Sequence, residues 1–346
     1  MSDITRKLVS VQRVVETKPI IGADLISAYR VNGWWVVDQV NRYKVDDLVL
    51  YAEIDSWMPT TIAPFLSKGK EPRVFNDVSG ERLRTVRLKG QVSQGLLLPL
   101  SVLEDIEFEF DLEVGDNVTD VLNVQKWEAP VNAQLAGQAK SNFPHFIQKT
   151  DQERIQNIQY DITTAFENSD EFEVTVKLDG SSITVYKFNE EVGVCSRNLD
   201  LKLDQEGNTF VNTAQSTGLL EVLELYGKNI AVQGELMGPG VQGDREKLPN
   251  HSIYIFDIFD IDEQKYLTPA ERNGVIEELY KLGYTGRVVP VEHQKWSLPT
   301  DNIDELLLFA EGKSINHPIR EGLVFKRADG QFSFKIISNE FLVKEK

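Results

Sequence analysis

One lysine stands where a β-strand is expected to end, and it is the first candidate for chemistry. Lys177 follows the β-branched run Val174–Val176, and the turn residues Asp179–Ser182 come directly after it. Side chains two apart on a strand share a face, so Lys177 and Asp179 are expected to point into one space. A second strand, Ile183 to Phe188, would complete a hairpin. The alternative interpretation is an exposed hairpin with a surface lysine and a common turn.

Two further carboxylates stand in apolar runs, where an unpaired charge is costly. Glu235 lies within the strand-like run Ala231–Met237, and Glu321 opens another at Gly322–Phe325. Buried carboxylates need a cation or a metal ion as partner. Lys335 supplies a second strand-borne cation near the end of the chain.

This combination has the logic of nucleotidyl transfer. A lysine attacks phosphorus only as the free amine, so its pKa of about 10.4 must fall or its proton must leave in the transition state. Carboxylates offer the hard oxygen ligands that Mg²⁺ and Mn²⁺ accept. Arg197 and Lys335 could neutralise phosphate charge as a leaving group departs.

An aromatic strand, Ile253–Asp260, completes the set of candidates. Tyr254 and Phe256 are expected to share one face of it. The usual interpretation of such rings is that they pack in the core. The functional alternative is that one ring stacks on a purine.

The elements that must position these residues form two groups. Strand-like runs recur at 6–15, 25–31, 34–39, 47–54, 82–88 and 95–98, separated by Gly, Pro and Asp turns, and predict a small barrel of OB type. The later part alternates strands with helices predicted at 213–226, 269–282 and 303–312, and Thr150 or Asp151 could cap another beginning at Gln152. We place the junction between about 115 and 130, ending near Ala129-Pro130, and assign the domains as 1–120 and 121–346.

A basic strip stands out in the barrel segment. Arg82 and Arg84 would lie on one face of a strand, and Arg87 and Lys89 share a face further along. The strip is either a phosphate-facing surface or an edge strand protected by positive charge.

Composition narrows the class of protein. The chain has 346 residues and a formal net charge of −17, which argues against bulk attraction to nucleic acid and requires any basic surface to be local. No run is long and apolar enough to span a bilayer, and no secretory leader is evident. The single cysteine, Cys195, fits a reducing compartment, so an intracellular, cytoplasmic location is expected.

Six short motifs in order resemble those of covalent nucleotidyltransferases, the polynucleotide ligases and mRNA capping enzymes. They are KLDG at 177–180, SRN at 196–198, GELMG at 234–238, YIFDIF at 254–259, EGLVFK at 321–326 and SFKIIS at 333–338. One such motif is weak evidence, whereas six in sequence are strong. DNA ligases and capping enzymes carry an OB domain after the last motif, but here only a few residues follow it. The segments 6–31, 46–59, 86–100 and 143–157 are similar to ATP-dependent RNA ligases of the Deinococcus and Naegleria type.

That resemblance implies an α+β chain, with an N-terminal OB-like β-barrel followed by a nucleotidyltransferase domain of antiparallel sheets flanked by helices. It implies ATP and Mg²⁺ or Mn²⁺ as cofactors. Lys177 would form a lysyl–AMP adduct, with Asp179, Glu235 and Lys335 as further catalytic residues. Asp179, Glu235 and Glu321 would hold the metal ion's water shell, and Asp179 or Glu235 could also bind the ribose. Other RNA ligases have two lysines in the last motif, where this chain has Ser333 and Lys335. Lys335 would then have to supply the function of both lysines.

The resemblance also assigns binding residues. Phe256 would stack on adenine, and the other expected nucleotide contacts are Lys149, Arg154, Val176, Arg197, Glu321 and Lys326. Lys149 and Arg154 could instead reach an RNA phosphate. RNA would be bound by Arg82, Arg84 and Arg87.

The activity implied is the joining of a 3′-hydroxyl to a 5′-phosphate RNA end in RNA repair. The partners would be RNA ends, in a nicked duplex, with no membrane and no obligate protein partner. Two alternatives stay open: a GTP-dependent enzyme of the capping type, and a non-catalytic RNA-binding module. An ordinary β-rich scaffold would leave the order of the motifs unexplained.

Overall fold

The computed structural model describes residues 6–104, 112–128 and 133–344, which form two compact units. The first unit takes the described residues before Val131, together with Gln156–Gln159 and Leu342–Lys346. The second takes Val131–Ile155 and Tyr160–Phe341. The assignment of the domains as 1–120 and 121–346 stays a prediction. The predicted end of the junction, Ala129-Pro130, lies outside the described residues, as does the start of the chain, where a leader was sought.

The first unit is built mainly from short strands. They are β1 (Val9–Pro19), β2 (Ile26–Val31), β3 (Trp34–Gln39), β4 (Leu48–Ala52), β5 (Ser56–Pro59), β6 (Arg73–Phe75), β7 (Val78–Arg82), β8 (Val86–Leu88), β9 (Gln91–Ser93), β10 (Leu96–Leu98) and β11 (Gln125–Lys126). A five-stranded antiparallel sheet has the order β10-β4-β1-β2-β3, and a four-stranded sheet has the order β11-β5-β7-β6. Val9, Val11, Leu50 and Met58 lie in one apolar core of this unit.

The run predicted as one strand at 82–88 is instead two strands. The strand β7 ends at Arg82, and Leu83–Thr85 leads into the separate hairpin of β8 and β9. Lys89 and Gly90 turn this hairpin with positive φ angles of 49° and 86°, as a tight two-residue hairpin turn requires.

Four residues from the middle of the chain complete the first unit. Gly33 donates its N–H to the carbonyl of Gln156 at 2.9 Å. A Cβ on Gly33 would lie 2.8 Å from Cα of Gln156, so only glycine allows this approach. The Asn157 amide accepts from Trp34 Nε1 at 2.5 Å and donates to Glu53 Oε1 at 2.6 Å.

The second unit contains the remaining strands. They are β12 (Ala139–Asn142), β13 (Glu153–Arg154), β14 (Glu171–Lys177), β15 (Ser181–Phe188), β16 (Glu191–Cys195), β17 (Leu199–Leu201), β18 (Ile230–Met237), β19 (Ser252–Asp260), β20 (Lys265–Tyr266), β21 (Arg287–Val288), β22 (Val291–Ser297), β23 (Gly322–Arg327) and β24 (Ser333–Ile337). One sheet has the order β12-β17-β16-β15-β18-β19-β20, with β21 beside β19. The other has the order β13-β24-β23-β14-β22. Both are antiparallel except at the pairs β19–β21 and β13–β24.

Helices cover one face of the larger sheet. The α-helices are α1 (Ala133–Gly137), α2 (Gln159–Glu167), α3 (Thr209–Ser216), α4 (Leu219–Tyr226), α5 (Pro269–Leu282), α6 (Ile303–Phe309) and α7 (Asn339–Lys344), and 3₁₀ helices lie at Pro64–Ser67, Leu100–Leu103 and Ile155–Asn157. The single helix predicted at 213–226 is broken by Gly218, whose φ of 73° suits glycine. None of the helices in the described residues is both long and apolar enough to cross a membrane.

The main core fixes which side chains can face a ligand. Ile183, Ile253 and Leu236 pack with Leu219 and Leu279 of helices α4 and α5. Because neighbouring residues on a strand point to opposite faces, Glu235 lies on the face that these helices do not cover. The fold thus leaves one surface of the larger sheet for the candidate site.

Candidate active site

Lys177 ends a central strand of the smaller sheet rather than one arm of a hairpin. The strand β14 pairs with β23, and Lys177 lies opposite Gly322. The next strand, β15, pairs with β16 and β18 in the larger sheet. The predicted hairpin is therefore wrong, because Leu178, Asp179 and Gly180 carry the chain from one sheet to the other. The same link brings side chains of both sheets around Lys177.

The amine of Lys177 is held by a carboxylate on the adjoining strand. Lys177 Nζ lies 2.7 Å from Oε1 of Glu321, which directly precedes β23. Burial pulls the pKa of Lys177 down, but Glu321 and Glu235 outweigh it, so the pKa lies above its ordinary value. Burial also raises the pKa of Glu321, against the opposing effect of Lys177. The pair is thus an ammonium–carboxylate contact in a poorly solvated place.

Glu235 is fixed from the larger sheet. Its Oε1 accepts the backbone N–H of Gly180 at 3.0 Å, directly after the turn that follows Lys177. Burial raises the pKa of Glu235 to about 8, and Lys177 only partly offsets this. A Cβ on Gly180 would lie 2.5 Å from the carbonyl oxygen of Leu236, so the close approach requires glycine.

Asp179 has a partner that the sequence did not reveal. Arg245, from the loop between β18 and β19, donates through Nη1 to Asp179 Oδ2 at 3.1 Å. The same loop is tied down by buried Glu246, which accepts the backbone N–H groups of Asn316 at 2.6 Å and His317 at 3.0 Å. Arg245 was missed because its loop lies far along the chain from Asp179 and no pattern links the two.

Lys335 projects from β24 and is paired as well. Its Nζ donates to Oδ1 of Asp151 at 3.1 Å. The helix that Asp151 was predicted to cap does not form at Gln152, since β13 runs there, parallel to β24, with Arg154 opposite Lys335. Arg154, expected to contact the nucleotide or RNA, is buried at this position. The segment before Lys177 therefore reaches Lys335 through sheet pairing.

Lys326 lies on the same face of the smaller sheet but is buried away from Lys177. It lies opposite Glu173, four residues before Lys177, and forms an ion pair with Asp257. Burial lowers the pKa of Lys326, against the pull of Asp257. Its predicted phosphate contact stays a prediction, and the structure shows that Lys326 joins β23 to β19. Asp257 was missed, although an acid in the apolar run 253–259 was the signal.

A second buried ion pair lies beside it. Arg272 of helix α5 donates through Nη2 to both oxygens of Glu173, at 2.8 and 2.6 Å, and both residues are buried. Arg272 also donates to the carbonyl of Phe256 at 3.1 Å. The strand of Lys177 and the strand of Phe256 are thereby linked through one guanidinium.

Phe256 sits at an irregularity in its strand. Gln233 pairs with Asp257 and Gly234 with Ile255, which leaves Phe256 as the extra residue of a β-bulge. Bulges redirect a side chain, and Phe256 is partly exposed while Tyr254 is buried. Val176 is also buried, and its side chain points to the opposite face from that of Lys177. The predicted contact of Val176 with the nucleotide stays a prediction.

Lys149 and Arg197 lie close to one asparagine. The N–H of Ser196 bonds to the carbonyl of Leu199 at 2.9 Å and makes the turn that carries exposed Arg197. Lys149 Nζ donates to the side chain of Asn198, next to Arg197, at 2.9 Å. These two predicted phosphate ligands therefore share one region.

The basic residues of the first unit have different surroundings. Arg82 donates through Nε to Asp55 Oδ1 at 3.0 Å, stacks on Trp127 and has a side chain only 10% exposed. Arg84 and Arg87 are exposed, on or beside the hairpin of β8 and β9. The expected common face of Arg82 and Arg84 does not exist, because the strand ends at Arg82. The RNA contact of Arg82 stays a prediction, whereas its observed role is to join β7 to the residues around β11.

The structure thus brings Lys177, Asp179, Glu235, Glu321 and Lys335 into one neighbourhood, as the sequence predicted. Within the described ranges, no three His, Cys, Asp or Glu side chains meet in an arrangement that would ligate an ion directly. The prediction was a metal ion held through its water shell, which needs a looser set of oxygens.

Comparisons with known proteins agree with this arrangement. Residues 170–337 match the family model for RNA ligases, and residues 8–100 match an OB-fold domain. No curated protein matches the sequence. A Naegleria gruberi RNA ligase variant solved with ATP and Mn is 41% identical, covers 98% of this chain and 99% of its own, and superposes with a TM-score of 0.90. A variant solved with AMP and Mn gives the same values, and one without ligand reaches a TM-score of 0.91. These matches confirm the predicted OB-type barrel and the sheets that follow it, and the chain belongs to the RNA ligase family.

Proposed function

We propose that this protein is an ATP-dependent ligase that seals RNA ends in RNA repair through a lysyl–AMP intermediate. The contact that carries the proposal is the amine of Lys177 placed 2.7 Å from Glu321, with Glu235 and Asp179 close enough to affect its pKa. The Naegleria gruberi structures with ATP or AMP and Mn support the choice of nucleotide and metal.

Three transfers make up the reaction. The ammonium of Lys177 first loses one proton to solvent or a nearby carboxylate. The neutral amine then attacks the α-phosphorus, the P–N bond forms as the bond to pyrophosphate breaks, and Nζ loses a second proton to leave the phosphoramidate N–H. The 5′-phosphate of RNA then displaces Lys177 from AMP, and the lysine recovers a proton. Finally the 3′-hydroxyl attacks the 5′-phosphorus, releases AMP and leaves a phosphodiester.

The carboxylates fit a divalent cation held through water. Asp179, Glu235 and Glu321 offer only oxygen donors, and burial with mutual repulsion raises the pKa values of Glu235 and Glu321, which a nearby cation would relieve. When bound, Mg²⁺ or Mn²⁺ supplies positive charge that disfavours the ammonium form of Lys177 and offsets phosphate charge. The chain's own part is to orient the amine at the end of β14.

The surrounding cations and one ring have assigned roles in this proposal. Lys335, which is close enough to Glu321 to affect the pKa of that carboxyl, binds nucleotide phosphate. Lys149 and Arg197, linked through Asn198, bind phosphate or ribose. Phe256, at its β-bulge, stacks on adenine. Arg154 of β13 contacts the nucleotide or an RNA phosphate. Lys326, which pairs with Asp257, is a further proposed phosphate contact.

Covalent labelling tests the central step. With radiolabelled ATP and Mn²⁺ or Mg²⁺, the wild type should acquire AMP, and Lys177→Ala should acquire none. Lys187→Ala, a lysine on the neighbouring strand β15, should label normally. Absent label on the wild type, or undiminished label on Lys177→Ala, would refute the proposal. Preferential labelling by GTP would favour the capping alternative.

We further propose that the hairpin of β8 and β9 docks a nicked RNA duplex. It presents exposed Arg84, Arg87 and Lys89 in an acidic chain, so its charge is local. The double change of Arg84 and Arg87 to Ala should reduce nick sealing about tenfold at physiological salt while leaving self-adenylation intact. Arg73→Ala is the matched control, because Arg73 is an exposed arginine of the same unit that pairs with Glu81. Impaired adenylation with normal sealing of pre-adenylated RNA would count against this role.

We also infer that no obligate protein partner is needed, and that the protein works in a reducing, intracellular setting. The latter is supported by its single cysteine, Cys195, which is buried as a free thiol. Sealing by the purified chain alone tests the first inference, and localisation of a tagged copy tests the second.

A further inference from the structure

Lys335 is nearly buried, but its counter-ion is not. The Lys335 side chain is 13% exposed, and that of Asp151 is 44% exposed. Asp151 stands two residues before β13, whose pairing with β24 places Arg154 opposite Lys335. Asp151 therefore pairs with the nearly buried Lys335 from a more solvent-exposed position.

The charges around Lys335 differ in sign. Arg154 and Lys177 are cations, whereas Asp151 and Glu321 are carboxylates. Burial lowers the pKa of Lys335 to about 8, and the two cations add to this effect while Asp151 opposes it. Without Asp151, a larger fraction of Lys335 would be neutral at pH 8, and a neutral amine is a poor phosphate ligand.

We propose that Asp151 is a positioning residue of the nucleotide site, whose carboxylate holds Lys335 in the free enzyme and gives up that ammonium to a phosphate of the nucleotide. A phosphate oxygen is the same kind of charge-assisted acceptor as a carboxylate oxygen, so the two exchange at one donor. The inference rests on the proposed phosphate contact of Lys335. Neither the sequence motifs nor the spacing of residues predicted that Asp151 belongs to the nucleotide site.

Such an exchange has two opposite consequences. Below the pKa of Lys335 the ammonium is present with or without Asp151, so removing Asp151 removes a competitor and an acidic charge near the phosphates. Nucleotide binding then becomes tighter. At higher pH, Lys335 without Asp151 loses its proton sooner, so nucleotide binding weakens from a lower pH than in the parent.

The experiment measures ATP binding by calorimetry with Mn²⁺ present, in a Lys177→Ala background where no transfer can occur. Asp151→Asn should bind ATP about three- to tenfold tighter than the parent at pH 6.5. Its affinity should begin to fall at a lower pH, so the two curves cross. Asp151→Glu, which restores the carboxylate, should move the curve back toward the parent.

Asp329→Asn is the matched control. Asp329 is a similarly exposed carboxylate, at 49%, that pairs with Arg327 at the other end of the β23–β24 hairpin. It should leave the affinity and its pH dependence unchanged.

The outcomes separate this inference from the proposed function. Parallel curves for Asp151→Asn and the parent, or weaker binding at every pH with a lower melting temperature, would overturn the exchange. If Lys335→Ala in the same background leaves ATP affinity unchanged, the phosphate role of Lys335 itself is wrong. If Lys335→Ala weakens ATP binding while Asp151→Asn has no effect, only the proposed role of Asp151 is refuted.

Discussion

The ammonium of Lys177 and the carboxylate of Glu321 are 2.7 Å apart, so the residue proposed to attack phosphorus is stored in a form that cannot do so. Glu321 thus has two opposed effects. It raises the pKa of the amine in the free protein, and it is one of the oxygens proposed for the metal ion that would lower that pKa.

Replacing Glu321 should separate these effects. Glu321→Gln removes a charge that raises the pKa of Lys177, so the amine should react faster with trinitrobenzenesulfonate at pH 8. Self-adenylation should nevertheless fall by at least about tenfold, since a residue that supports the metal's surroundings is lost. Mass spectrometry of the Lys177 peptide measures the first effect, and labelling with ATP the second. Glu263→Gln, an exposed turn residue, should change neither. Unchanged or slower modification of Lys177 would contradict the assignment.

Glu235 should make folding stability depend on pH. Burial raises its pKa in the folded protein to about 8, whereas the unfolded value is about 4.3. Between these values the unfolded chain releases a proton that the folded chain retains, so stability contributed at this site falls as pH rises from about 5 to 8. Glu235→Gln keeps an acceptor for the Gly180 N–H and removes the titration. The free energy of unfolding of Glu235→Gln minus that of the wild type, measured in urea with EDTA, should increase as pH rises across this range. A constant difference would refute the assignment.

The Glu173–Arg272 pair should be costly to break and less costly to remove. Both side chains are almost fully buried, with Nη2 and Oε2 2.6 Å apart. Arg272→Met leaves a buried carboxylate alone and should reduce the free energy of unfolding by about 3–5 kcal/mol. The double variant with Glu173→Met should lose less than the sum of the two single losses. Arg327→Met, at a more exposed pair, should cost about 0–1 kcal/mol. Equal costs at the two arginines in denaturant unfolding would contradict this ranking.

Gly180 should tolerate no side chain. Gly180→Ala places Cβ against the backbone of Leu236 and shifts the contact with Glu235, so self-adenylation should fall about 10- to 100-fold. Gly274→Ala is the control, because Gly274 lies within helix α5 and no heavy atom beyond its chain neighbours and the adjacent helix backbone lies within 4 Å of the Cβ position. That change should stabilise the protein by about 1 kcal/mol and leave labelling unchanged. Full activity of Gly180→Ala would show that the turn can move without harm.

The identity of the strands was predictable wherever the local pattern was strong. Runs of apolar, β-branched or aromatic residues predicted β14, β18, β19 and β23. The helix predicted at 269–282 is α5, where the structure shows a capping box at Thr268. Glu235 and Glu321 were found because a carboxylate in an apolar run demands an explanation. These are local signals, and no partner strand is needed to read them.

Partner choice was not predictable in the same way. The turn after Lys177 has the composition of a hairpin, but the strand partners of β14 are β22 and β23, each more than a hundred residues later. Asp151 and Arg245 have ordinary polar surroundings in the sequence, and only the sheet pairing and the loop anchored by Glu246 bring them to Lys335 and Asp179. Long-range pairing thus supplied the contacts that local spacing could not.

The segment Gln156–Gln159 has a consequence for any attempt to dissect the molecule. It belongs to the first unit although the chain reaches it only after entering the second. A polypeptide truncated before Val131 would lack the carbonyl that receives the Gly33 N–H and the amide between Trp34 and Glu53. A fragment that ends before Val131 would therefore lack part of the hydrogen bonding of its own unit. Swapping modules between relatives would require these four residues to travel with the N-terminal portion.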